Sequence, residues 1–183
     1  MSITKEEDTK SLKYTDLGNY YLYGPINEEI IKPAIEWIFN ENVTKKHNEL
    51  NLIITSPGGY VTSCFALLDA IEGSAIPINT VGLGLIASCG LIIFLHGKKR
   101  TMTPLTYCLS HQFSGGSGGK YHELLADRAA HDWMHEKILQ IYIKKTGLSA
   151  KKVRELLLPP SDVFLTAEEC IKYNIATEIK NKS

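Results

Sequence analysis

The spacing of apolar positions predicts alternating strands and helices along most of the chain. Tyr20-Tyr21-Leu22-Tyr23, stopped by Gly24-Pro25, reads as a first strand. Asn27 then stands where a helix cap belongs, with Glu28 and Glu29 in the first turn, where negative charge suits the helix dipole. Ile30, Ile31, Ala34, Ile35 and Ile38 continue an apolar stripe, but Pro33 interrupts it, predicting a kink or a start nearer Lys32. Residues 50–55 form a buried-type strand closed by Ser56-Pro57-Gly58-Gly59, and Val61, Cys64, Phe65, Leu68 and Ile71 mark one face of a second helix. After Pro77, a short strand over residues 78–81 runs into Gly82 and Gly84. A small-residue corner and an apolar segment of helical length follow.

Beyond the surface run Lys98-Lys99-Arg100, residues 101–110 predict one or two strands ending at His111. The run Ser114-Gly115-Gly116-Ser117-Gly118-Gly119 predicts loop or a very irregular strand. Residues 121–145 predict a long helix ended by Gly147. Thr166-Ala167-Glu168-Glu169 is a capping box opening a short last helix, and residues 175–179 predict a final strand. The strand–helix alternation over residues 50–98 implies βαβ crossovers and a parallel sheet. The expected organisation is one α/β domain over residues 19–183, preceded by a polar tail at 1–18, with the long helix projecting beyond the sheet.

Composition narrows the function. The 20 basic residues balance the 20 acidic ones, which argues against a nucleic-acid or membrane-surface partner. The longest apolar run, residues 83–95, is too short to span a bilayer and is expected in the core. A polar, acidic start argues against a signal peptide. The four cysteines (64, 89, 108 and 170) form no CxxC pair, so buried free thiols and a cytoplasmic location are expected.

The candidate chemistry centres on Gly84-Leu85-Ile86-Ala87-Ser88-Cys89-Gly90. A serine at a strand-to-helix corner presents its hydroxyl outward, next to free helix-start N–H groups that suit a developing oxyanion. Only half of the G-x-S-x-G elbow is present, because Ile86 stands where its first glycine would be; the plainer reading is an N-cap serine. Cys89 lacks a nearby cation to activate it and reads as a backbone N–H donor. The glycine run at 114–119 fails as a phosphate cradle at Ser114 and Tyr121. His131-Asp132-Trp133-Met134-His135 resembles a zinc helix but lacks the usual glutamate and a third ligand. A serine hydrolase needs a base and a carboxylate, and six histidines with six aspartates leave their identity open.

Five blocks in register carry a resemblance. Thr55-Ser56-Pro57-Gly58-Gly59, the corner at 84–90, Gly97-Lys98-Lys99-Arg100, Ser110-His111-Gln112 and Asp162-Val163-Phe164-Leu165-Thr166-Ala167 with Glu169 resemble the Clp protease proteolytic subunit (ClpP) family from about Tyr20 to Ile179. The resemblance implies a crotonase-like fold and a serine endopeptidase without cofactor or metal. It implies a triad of Ser88, His111 and Asp162, and an oxyanion hole from the backbone N–H groups of Gly59 and Cys89. It further implies a strand-plus-helix handle over about 112–146, homo-oligomers of stacked heptameric rings enclosing a chamber, polypeptide substrates and an AAA+ unfoldase partner.

Three departures stand out. Phe113 replaces the family's usual proline, Thr55 its asparagine, and the longer apolar and basic segment that meets the unfoldase is not recognisable before Tyr20. The alternative reading is a weakly active or structural subunit of a mixed ring.

Overall fold

The computed structural model describes residues 13–180. The expected polar tail therefore lies, up to residue 12, outside the described residues; its end forms a single 3-10 turn at Tyr14–Leu17, closed by Gly18. Seven strands make one sheet: β1 (Asn19–Tyr23), β2 (Leu50–Ser56), β3 (Ile78–Ala87), β4 (Arg100–Met102), β5 (Tyr107–Ser110), β6 (Val163–Thr166) and β7 (Glu178–Ile179). The helices are α1 (Glu28–Thr44), α2 (Val61–Glu72), α3 (Cys89–Phe94), α4 (Tyr121–Thr146), α5 (Ala150–Leu156) and α6 (Ala167–Lys172). The order β1-β2-β3-β4-β7 is parallel throughout; β5 adds to the far half of β3 in parallel, and β6 closes on β5 antiparallel. The protein is a mixed α/β fold with a mostly parallel sheet.

Several elements differ from the sequence expectation for identifiable reasons. Pro33 lies inside α1, which starts at Glu28 because Asn27 Oδ1 accepts from Ile30 N at 3.0 Å. A proline in the second turn forfeits one bond, to the carbonyl of Glu29, and the buried face of Ile31, Ala34, Trp37 and Ile38 outweighs that loss. Gly82 and Gly84 do not end β3. The strand pairs with β4 through Gly82, bends, and pairs with β5 from Leu85 to Ala87. The apolar run after Val81 is thus divided between strand and the six-residue α3, rather than forming one helix. The final strand shrinks to two residues, and α5 and β6 were not anticipated.

The core is formed by Leu22, Leu52, Ile54, Ile38, Leu67 and the fully apolar α3, whose Leu91, Ile93 and Phe94 are completely buried. All four cysteines are free and buried. The second half of α4 joins this core through Ile138, Leu139 and Tyr142, whereas no side chain before Ile138 on that helix is buried. The helix therefore projects as expected. The handle's expected strand is absent: the described residues carry no strand between Ser110 and α4, because the glycine and serine run has no neighbouring strand to pair with in a single chain. No helix among the described residues is long and apolar enough to cross a membrane.

Candidate active site

Ser88 is the junction of β3 and α3, with φ 51° and ψ −122°. Such a backbone costs a non-glycine residue about 1–3 kcal/mol and persists only where the surroundings enforce it. Here the Ser88 N–H donates to Leu109 O at 2.8 Å, pinning the corner to β5, and Ser88 O accepts from Ile92 N at 3.1 Å. The hydroxyl caps no amide of α3, so the serine occupies the N-cap position without spending its side chain there.

Facing it is the turn after β2. Ser56 Oγ donates to Gly24 O at 2.7 Å and accepts from Gly58 N at 3.1 Å, holding the turn shut. Ile26 N donates to Gly58 O and Tyr60 N donates to Ile26 O, both at 2.8 Å. In this parallel bridge both bonds run from Ile26 to the residues flanking Gly59, so Gly59 spends neither its N–H nor its C=O on Ile26. The Gly59 carbonyl accepts from Cys89 Sγ at 3.2 Å, and its N–H donates no hydrogen bond among the described residues. Only glycine fits: a Cβ at 59 would run into the backbone of Ile26, 2.8 Å from its N. The Cys89 N–H, first in α3, likewise lacks an intrahelical acceptor. A hydrogen bond from the Cys64 thiol holds the Cys89 thiol below its usual pKa, against the opposing effect of burial.

Ser88, His111, Gly59 and Cys89 line one small cavity, together with Val61, Ile92, Gln112, Phe113, Ser114, Ile138 and Tyr142. No hydrogen bond joins Ser88 to His111. His111 Nδ1 instead lies 2.6 Å from Gln112 O, and because a carbonyl only accepts, Nδ1 carries a proton, which in the neutral ring leaves the lone pair on Nε2. Asp162 is exposed, is not among the cavity's lining, and makes no hydrogen bond or ion pair with His111. The last pair of the β5–β6 ladder is Ser110 with Val163, so 111 and 162 are the next residues outward on facing strands.

Sequence reading missed the residues that fix the His111 backbone. Ser110 Oγ donates to Leu157 O at 2.6 Å, which leaves the Tyr142 hydroxyl, 2.9 Å away, to donate to Ser110. Gln112 Nε2 donates to Leu158 O at 2.9 Å. Their signal was present only as a buried tyrosine on the core face of α4, four residues after Ile138. In the zinc-like motif, His131 packs on Phe113 with ring centroids 5.0 Å apart, and Asp132 pairs with Arg128 at 2.9 Å.

The Clp protease family model matches residues 9–183. The chain belongs to the Clp protease family. It is 29% identical over 182 residues to the ATP-dependent Clp protease proteolytic subunit 2 of Treponema denticola, covering 98% of this chain and 90% of that protein. To the ATP-dependent Clp protease proteolytic subunit of Pleurastrum terricola it is 28% identical over 154 residues, 83% of this chain and 78% of that one. Membership in the Clp family implies a peptidase, and Ser88, His111, Gly59 and Cys89 share the lining of one cavity at the Ser88 corner.

Proposed function

We propose that residues 19–183 form a serine-type endopeptidase, in which Ser88 is the nucleophile, His111 the base and Asp162 its carboxylate partner. The observation that carries this reading is the strained Ser88, whose hydroxyl caps no amide of α3, lining one cavity with His111, Gly59 and Cys89. Ser88 Oγ attacks the peptide carbonyl carbon while His111 Nε2 takes its proton, and the carbonyl oxygen becomes an alkoxide held by the N–H groups of Gly59 and Cys89. Collapse expels the amine, protonated by His111, and water repeats the cycle on the acyl-enzyme. The Nδ1 contact to Gln112 already selects the tautomer this needs. Rotation of the ring toward Asp162, one step beyond the β5–β6 ladder, replaces the neutral acceptor with a charged one that stabilises the imidazolium.

Assembly belongs to the same proposal. Tyr23, Tyr107 and Phe164 are 63%, 45% and 64% exposed on β1, β5 and β6, and Trp133 stands out from α4. Apolar surface of this kind is expected between copies of the chain, with the handle at 112–146 gaining its strand from a neighbour. A second reading, a structural or weakly active ring subunit, is favoured by one observation: His111 is bonded to neither Ser88 nor Asp162. A fluorophosphonate probe separates the two. Intact mass after labelling is expected to show one adduct, mapped to Ser88; an assembled protein that takes none is the structural subunit.

A further inference from the structure

The cavity beside Ser88 holds only about 40 Å³, room for no more than a few waters. Its polar lining is Ser88 and His111 with Gln112, Ser114 and Tyr142; its apolar lining is Val61 of α2, Ile92 of α3, Ile138 of α4 and Phe113. Three of these walls are rooted in helices. Phe113 alone comes from a segment without regular structure, and it is half-buried. Its ring is nonetheless held. His131 of α4 supports it at 5.0 Å, and it fills the space that a side chain at Gly115 would need, since a Cβ there would come within 2.9 Å of the ring. On the other side, Gln112 is tied to Leu158 O and its carbonyl to His111. Phe113, with its ring so fixed, thus lines the cavity beside Ser88 from a segment without regular structure.

We infer that Phe113 limits the size of the substrate side chain next to the scissile carbonyl, confining it to small apolar residues such as alanine. This deepens the peptidase reading and rests on it. A bulky side chain in that position has to displace the ring from His131, whereas a methyl group fits the space that remains. In apolar pockets a single methylene changes kcat/KM by about 10–200-fold, so one aromatic ring suffices to reverse a preference.

The test compares kcat/KM for short fluorogenic peptides with Ala, Leu or Phe before the cleaved bond, in the assembled full chain. The wild type is expected to prefer Ala. Phe113→Ala is expected to raise the Leu-to-Ala ratio at least tenfold, and Phe113→Leu, which keeps an apolar wall, to raise it less. Should Phe113→Ala not fold, the shift in Phe113→Leu decides. A wild type that prefers Phe, or variants that turn over peptides with an unchanged ratio, overturn the inference while leaving the peptidase standing. A wild type that cleaves none of the three peptides overturns both.

Discussion

Ser88 adopts a backbone shape that costs energy, and its neighbours are chosen to allow it. Gly58 approaches so closely that a Cβ there would lie 2.6 Å from Ser88 Cβ, and the Gly59 N–H donates no hydrogen bond among the described residues. Gly59→Ala therefore strikes twice. It is expected to break the bridge to Ile26 and to displace one oxyanion donor, lowering peptide kcat by about 10²–10³-fold, measured beside the wild type at matched assembly. The strand-to-helix corner was legible in the sequence from its small residues, but an N-cap serine was the plainer reading there, and the hydroxyl in fact caps no amide. Asp162 was not: an exposed aspartate after Pro-Pro-Ser looks like any loop aspartate, and only the resemblance singled it out. Ser110 and Tyr142 escaped notice because they act through burial and a relayed hydrogen bond, which no local pattern records.

At the scale of elements, the site depends on how β5 is held. Its inner end is fixed through Ser110 to Leu157 and Tyr142, so α4 and the α5 segment both bear on the residue before His111. Tyr142→Phe removes the donor to Ser110 but leaves the bond to Leu157. The expected cost is about 1 kcal/mol in urea unfolding, with a fall in peptide kcat rather than a rise in KM. The elements read most securely were those with two independent signals, such as α4 with its long polar pattern and Gly147 in the left-handed C-cap, or α6 with the Thr166–Glu169 capping box. Elements with one weak signal were lost. β6 has four residues, only Leu165 of them buried, and α5 buries Val153 alone. The bend of β3 was hidden because glycine marks both a strand's end and its change of partner.

For the molecule as a whole, parallel strands and their covering helices followed from the alternation of patterns, whereas the sheet's order and the exposed aromatic surface depend on contacts distant in sequence. One global property follows from a buried group that the chemistry does not use. His96 Nδ1 donates to Ile92 O at 2.8 Å, and burial, opposed by that carbonyl and reinforced by Lys145 and Lys144, lowers its pKa to about 4; Glu72 faces it at 3.6 Å. A histidine with a folded pKa below its unfolded value of about 6.5 binds a proton more readily once unfolded. Its contribution is therefore intact above pH 6.5 and is lost as pH falls toward 4. Urea unfolding is expected to show a loss of about 3 kcal/mol over that range, and His96→Gln is expected to flatten the slope. The central claim concerns position 88, and its most direct test is the hydrolysis of a short fluorogenic peptide by Ser88→Ala beside the wild type, both at the same assembled size. The account predicts that turnover falls by at least about 10³-fold; hydrolysis persisting at the wild-type rate would contradict it.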